Sequence, residues 1–350
     1  MGRGSLFCRE NLQNKKKQTR LCENRNEKKN LMTKVKFVLT KGFSGDIIDT
    51  VRQRGKCTPF QKRKTGDKMK RLGYYNGKYD EIENMSVPMN DRVCYFGDGV
   101  YDATYSRNYK IFALDEHIDR IYNSAGLLKI EIGQTKEEMK AILNEMVAKM
   151  DTGDNFVYWQ VTRGTGLRNH AFPTDGSKAN LWIAISPKGL VDLEKPIKLI
   201  TMEDTRFLHC NIKTLNLIPS VMATQKAVEM GVDETVLHRG DRVTECAHSN
   251  VHILKDGVFV TAPTDHLILP GIARAHLIKA CKKLGIAVDE TPFTVSEMME
   301  ADEVIVSSSG SLCLQAVEID GKPVGRKAPE LLKKLQNEVL REFNEETRKD

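Results

Sequence analysis

From Leu72 onward, short apolar runs with a period of two are interleaved with longer stretches whose apolar positions recur every three to four residues. That pattern predicts strands and helices in mixed order. YYNGKYDEIEN predicts a hairpin turning at Asn76-Gly77, and YSRNYKIFAL a second. Asp115 reads as the N-cap of the helix DEHIDRIYNSAGLL, whose Ile118, Ile121 and Ala125 share a face. KEEMKAILNEMVAKM predicts another amphipathic helix, and NFVYWQVTRG and LWIAIS predict strands. Residues 186–196, SPKGLVDLEKP, carry two prolines and no periodicity, and read as a linker between two halves.

The second half opens with the strand KLITM, a loop through HCNIKTLN and a helix from Ile218 to Met230. ETVLH, CAHSNVHIL and VFVTAP read as strands, turned at RGD and KDG. The helix IARAHLIKACKKLG, the strand EVIVSS, the hairpin AVEIDGKPVG and a last helix from Pro329 complete the order. Both halves mix the two element types. The expected fold class is therefore α/β (α+β), with a smaller N-terminal domain at 69–187 and a larger one at 188–350.

Charge changes the picture at the N-terminus. Residues 1–68 hold 19 basic and 6 acidic side chains, whereas residues 69–350 hold 35 basic and 41 acidic. The net charge of +7 therefore belongs to a basic, polar leader, and the body gives no ground for nucleic-acid binding. The leader reads as dispensable and disordered, with one short apolar piece, VKFVL at 35–39, and Met69 near the start of the globular region. No apolar run nears the ~18 residues of a membrane helix. The eight cysteines include no CxxC pair, and their scatter fits a reducing compartment such as the cytoplasm.

Several residues could carry chemistry. Lys213, in HCNIKTLNL, lies among apolar and amide neighbours, where desolvation would favour the nucleophilic neutral amine; spacing alone equally fits a surface lysine. Glu245 stands in a strand-forming run, where a buried carboxylate needs a partner such as a protonated pyridine nitrogen. An edge carboxylate facing solvent is the plainer alternative. Cys246, His248 and His252 share an even spacing that would suit a metal, but a fourth ligand is lacking and no metal is expected. PGIAR, residues 270–274, places a glycine at a helix entry, a natural phosphate site. SSSGS at 307–311 offers hydroxyls for a phosphate or makes an ordinary loop. RGTGLRNHAFP, residues 163–173, holds Arg168 and His170, and an arginine can grip a carboxylate with two parallel hydrogen bonds.

Together, CNIKTLNLIPSVMA, VTECAHSNVHILKDG, LPGIAR, the serines after EVIV, FGDGVYDATYSRN and HIDRIYNSA resemble the fold-type IV pyridoxal-phosphate aminotransferases over roughly residues 70–330. VYWQVTRGTGLRNHAFP is similar to the carboxylate-trap loop of the D-amino-acid branch. The resemblance implies two domains with the active site between them, pyridoxal 5'-phosphate as cofactor, a homodimer, and amino acids and 2-oxo acids as substrates. It implies Lys213 as Schiff-base lysine and proton shuttle, and Glu245 facing the ring nitrogen. Arg120, the N–H groups of Ile272 and Ala273, and the hydroxyls of Ser308 and Ser309 would bind the phosphate. Tyr101 would orient cofactor and substrate. Tyr158, Arg168 and His170 would bind substrate, the last two across the dimer interface.

Three positions depart from the family pattern: Ala273 for a threonine, Asp102 for a glutamate, and His248 in a serine-rich stretch. The expected reaction is transamination between a D-amino acid such as D-alanine and a 2-oxo acid such as 2-oxoglutarate. The alternatives within the class are a branched-chain L-amino-acid aminotransferase and aminodeoxychorismate lyase. Those outside it are a basic-arm nucleic-acid-binding protein and a zinc hydrolase built on Cys246, His248 and His252.

Overall fold

The first described strands form a hairpin, β1 (Leu72–Tyr75) and β2 (Lys78–Glu81), in a computed structural model that describes residues 68–349. The expectations for the leader, its apolar piece at 35–39 included, fall on residues 1–67, outside those described. Asn76 and Gly77 both take positive φ, 45° and 87°, as a two-residue turn with right-handed strand twist requires. β3 (Gly99–Arg107) and β4 (Lys110–Ile111) form the second hairpin, and β5 (Asn155–Thr162) and β6 (Asn180–Pro187) follow. They make one antiparallel sheet in the order β2-β1-β6-β5-β3-β4. Its inward residues, Leu72, Val157, Trp159 and Ile183 among them, share a core with two helices, α2 (Leu114–Leu127) and α3 (Lys136–Ala148). A short helix, α1 (Arg92–Phe96), precedes β3.

The second sheet has nine strands: β7 (Ile197–Glu203), β8 (Glu234–Arg239), β9 (Arg242–Cys246), β10 (Asn250–Lys255), β11 (Val258–Thr261), β12 (Ala287–Asp289), β13 (Glu303–Ser307), β14 (Leu314–Ile319) and β15 (Lys322–Pro323). It runs β12-β11-β10-β13-β14-β7-β8-β9, with β15 paired to β14. The helices are α4 (Ile218–Met230), α5 (Ile272–Leu284), α6 (Val295–Glu300) and α7 (Pro329–Glu346). Apolar faces of α5 and α7 (Leu277, Cys281, Leu335, Val339) close a core over Val251, Ile253, Val304 and Ile305. Both sheets pack against helices, as the apolar pattern requires.

Three local expectations need correction. The helix after β4 begins at Leu114, not after an Asp115 cap. Its N-cap is Ala113, at φ 51°, and the Ala113 N–H donates to Glu346 at 2.7 Å. Asp115 and Glu116 instead sit in the first turn, where negative charge favours the helix dipole. CAHSNVHIL is not one strand: β9 ends at Cys246 and β10 starts at Asn250, so residues 247–249 turn and the even spacing no longer puts Cys246, His248 and His252 on one face. The 186–196 segment is more than a tether. Leu193 is buried in the second core, the Val191 N–H donates to the Gly310 carbonyl, and Lys188 and Val191 reach the cavity described next.

Candidate active site

A cavity of about 450 Å³ lies where β3 and β5 of one sheet face the β9–β10 turn and the loops after β7 and β13 of the other. Its wall carries Lys213, Glu245, Arg120, Tyr101, Ile272, Ala273, Ser308 and Ser309, so eight of the residues picked out by sequence come together.

Lys213 sits in the loop between β7 and α4, and its backbone is pinned to the first sheet. The Tyr101 N–H donates to the Lys213 carbonyl at 3.0 Å, the Leu215 N–H donates to Gly99 at 3.1 Å, and the Lys213 N–H donates to Ser124 Oγ at 3.2 Å. Gly99 permits this approach: a Cβ there would lie 2.7 Å from both Leu215 Cδ1 and the Val161 carbonyl. The lysine Nζ stands 4.4 Å from the centroid of the Tyr101 ring, which stacks on Tyr158 at 5.5 Å. Tyr158 lies behind Tyr101, outside the cavity lining, and its hydroxyl donates to Gln160.

Glu245 projects from β9 and is buried. One oxygen accepts from Arg206; the other accepts from Asn250 Nδ2 at 2.9 Å and the Leu269 N–H at 3.1 Å. Burial pushes its carboxyl pKa up, and the Arg206 guanidinium and Leu269 N–H pull against that. Arg206 is itself braced by Asp204, at 2.9 Å from both Nε and Nη2. Gly271 leaves room for Asn250: a Cβ there would fall 2.0 Å from Asn250 Oδ1. Gly271 also caps α5 with no side chain, so the first N–H groups of that helix open toward the cavity.

Arg120 is buried on α2. It donates to both oxygens of Asp102, at 2.7 and 2.9 Å, and to the Pro270 carbonyl at 3.3 Å. Asp102 Oδ1 also takes a 2.7 Å bond from His117 Nδ1. Since an ionised carboxylate only accepts, Nδ1 carries the proton, and Nε2 is left to accept from Ser309 Oγ at 3.3 Å. Burial raises the Asp102 pKa, but Arg120 and His117 outweigh it and hold the carboxyl well below its usual range. Burial also lowers the pKa of His117 against the pull of Asp102.

Arg168 and His170 do not line this cavity. They belong to the exposed loop after β5, where the Arg168 guanidinium lies 5.5 Å from the Phe96 ring centroid. Buried Arg92 braces that loop by donating to the carbonyls of Asn169 (2.6 Å) and Ala171 (3.3 Å) and to Asp98 (2.7 Å). The Cys246, His248 and His252 trio does not converge. Both ring nitrogens of buried His252 are engaged, by Thr261 Oγ1 and Ser307 Oγ at 2.8 Å each. His248 instead turns to Glu234, and no cluster of metal-ligating side chains exists among the described residues.

Sequence reasoning did not single out Arg206, Asn250, Arg92 or His117. The signal for Arg206 is faint: MEDTR sets an acid and an arginine two apart where the apolar strand KLITM stops. Asn250 and Arg92 carry no such mark, because their roles rest on partners distant in the chain.

Residues 99–319 match the family model described as amino-transferase class IV. D-alanine aminotransferase of Listeria monocytogenes serotype 4b (strain F2365) is 41% identical over 260 residues, 73% of this chain and 90% of that protein. The branched-chain amino acid aminotransferase of Escherichia coli superposes with a TM-score of 0.72 at 22% identity, over 81% of this chain and 97% of that one. A T.th. branched-chain amino acid aminotransferase with pyridoxamine 5'-phosphate gives 0.71 at 24% identity, over 78% and 94%. The fold is therefore that of the fold-type IV enzymes, and the chain belongs to the class IV aminotransferases.

Proposed function

We propose that this protein transfers an amino group between a D-amino acid, such as D-alanine, and a 2-oxo acid, such as 2-oxoglutarate, using pyridoxal 5'-phosphate. It works as a homodimer in the cytoplasm, with the cofactor held between a smaller domain at 69–187 and a larger one at 188–350. The observation that carries this reading is the meeting of Lys213, Glu245 and Arg120 in one cavity. The 41% identity to a D-alanine aminotransferase supports the D-amino-acid branch. The free, mostly buried thiols at Cys94, Cys210, Cys246, Cys281 and Cys313 suit a reducing compartment. Among the described residues no helix is long and apolar enough to cross a membrane.

The donor set fits the cofactor. A phosphate needs cations and N–H or O–H donors, and Arg120, the uncapped start of α5 and the Ser308 hydroxyl supply them, while the Ser309 hydroxyl, whose proton goes to His117 Nε2 here, would donate to a phosphate only by turning from that ring. An aldehyde needs an amine, which is Lys213. A basic ring nitrogen needs an acid partner, and buried Glu245 is that partner, steered by Asn250 and Arg206. The space over Gly271 that a Cβ would fill is part of this cradle.

When bound, the cofactor supplies a carbonyl that takes up the amino group and a ring that accepts the electrons of the α-carbon. The protein's residues do the rest. Lys213 Nζ is the base that takes the proton from the substrate α-carbon and returns it later in the cycle. Its pinned backbone confines Nζ to the Tyr101 side of the cavity. Glu245 holds the ring-nitrogen proton, and Arg206 keeps that carboxylate oriented. Arg168 and His170 hold the substrate carboxylate at the partner subunit's site, and Tyr158 supports Tyr101 from behind. Leu167, 91% exposed beside Arg168, fits a loop that a second subunit covers. Lys213→Ala should abolish multiple turnover while leaving the fold intact by circular dichroism; retained turnover would sink the assignment.

A further inference from the structure

Among the described residues, the cavity wall carries the cationic side chains of Arg120, Lys188, Arg206 and Lys213, and one histidine ring, that of His248. Three of these already have work on the reading above. Arg120 is tied to Asp102 at the phosphate end, Arg206 to Glu245, and Lys213 is the reactive amine. Lys188 and His248 remain.

His248 is held for a purpose that the cofactor does not explain. Its Nδ1 lies 2.5 Å from Glu234, whose side chain is 4% exposed and also accepts from Ser249 Oγ at 2.7 Å and the Thr235 N–H at 2.9 Å. A buried carboxylate with these bonds fixes the ring, and Nε2 is left with no partner among the described residues. The Glu234 bond raises the His248 pKa; partial desolvation and the charges of Lys213 and Lys188 work against it. Lys188 has no carboxylate in ion-pair reach among the described residues. Its ammonium lies about 6 Å from the ring centroids of Tyr105 and Phe156, which also line the cavity. Asp233, the third acid on this wall with Glu234 and Glu245, accepts from the Lys198 N–H at 2.9 Å.

We propose that His248, braced by Glu234 and seconded by Lys188, selects substrates that carry a second carboxylate on the side chain: acidic amino acids and dicarboxylic 2-oxo acids. The inference rests on the transaminase reading. It adds that the serine-rich stretch of the family holds here a carboxylate-braced imidazole on the cavity wall, with Nε2 unpartnered among the described residues. The His248 side chain is 63% exposed, so solvent screening keeps the gain at the lower end of the range for a charged hydrogen bond, about tenfold in affinity.

The test uses the full-length, cofactor-loaded enzyme and H248Q. We expect kcat/KM for 2-oxoglutarate to fall about tenfold more than kcat/KM for pyruvate. Calorimetric titration with the unreactive probes glutarate and butyrate gives a second readout: the glutarate Kd should rise about tenfold relative to that of butyrate. In the parent protein, glutarate should weaken as pH rises through the titration of His248, and H248Q should lose that dependence. Equal losses for both acceptors, or glutarate binding indifferent to the substitution, would overturn the proposal. Absence of turnover with every amino acid would instead remove the transaminase reading, and the glutarate titration would still decide the role of His248.

Discussion

Asp102 and Arg120 meet through two parallel hydrogen bonds, Oδ1 to Nη2 at 2.7 Å and Oδ2 to Nε at 2.9 Å. A carboxylate one methylene shorter than the family's usual glutamate therefore still reaches both the guanidinium and His117. Removing the charge with Asp102→Asn leaves Arg120 buried without its counter-ion, which costs about 3–5 kcal/mol. The expected outcome is a lower midpoint in urea unfolding and weaker cofactor binding, whereas Asp102→Glu should retain most of both. The sign with pH follows from the lowered pKa of Asp102. Its stabilisation is complete above the unfolded carboxyl pKa, near 4, and is lost as pH falls through the lower folded value.

Arg206 and Glu245 form the second buried pair. Arg206→Met should leave Glu245 buried without its hydrogen-bonded cation, with only the more distant charge of Lys213, and its pKa, already raised by burial, should climb further. The expected outcome is a loss of kcat with a smaller change in KM, and unfolding at about 3 kcal/mol lower stability. A pH–kcat profile whose acid limb moves upward in the variant checks the cause.

Ala273 replaces the threonine expected at the start of α5, yet that helix start still opens N–H groups toward the cavity. Ala273→Thr restores a hydroxyl and should tighten cofactor binding by about 1–3 kcal/mol, the worth of a hydrogen bond to a charged group. Equilibrium titration of the apo form with pyridoxal phosphate measures it, and an unchanged Kd would show that the backbone donors suffice.

His252 gives a stability prediction separate from catalysis. Burial, with Arg274 nearby, lowers its pKa to about 3, and both ring nitrogens are bonded to hydroxyls. The folded form therefore stays neutral while the unfolded chain takes up a proton near pH 6.5. The stability from this group is full above about pH 6.5 and declines as pH falls toward 3, with a slope approaching 1.4 kcal/mol per pH unit. His252→Asn should lower stability at pH 7 but show a shallower decline between pH 6 and 4 in denaturant titrations.

Much of this architecture was legible in the chain. The hairpin turning at Asn76-Gly77, the second hairpin within YSRNYKIFAL, and the helices from Ile218, Ile272 and Pro329 follow from local turn chemistry and period. What was not legible depends on distant partners. Ala113 takes a left-handed conformation because Glu346, at the far end of the chain, accepts its N–H. The turn at 247–249 is hidden by apolar alternation in CAHSNVHIL, and Glu234, on another strand, anchors it through His248 and Ser249. The site was legible where a motif carries it, at Lys213, Glu245 and LPGIAR. It was hidden where a buried group answers a distant carboxylate, as the Arg206 guanidinium does Glu245 and the His117 ring does Asp102. Arg168 and His170 read as a carboxylate grip, and a single chain leaves them outside its own cavity.

The most direct measurement is the ultraviolet and visible absorption of the purified protein with pyridoxal phosphate, before and after D-alanine. The account predicts a yellow band from the lysine-bound cofactor, absent in Lys213→Ala, that converts with D-alanine to the spectrum of pyridoxamine phosphate. A band that ignores D-alanine but collapses with L-leucine would contradict the D-amino-acid assignment, and no band at all would contradict the role of Lys213.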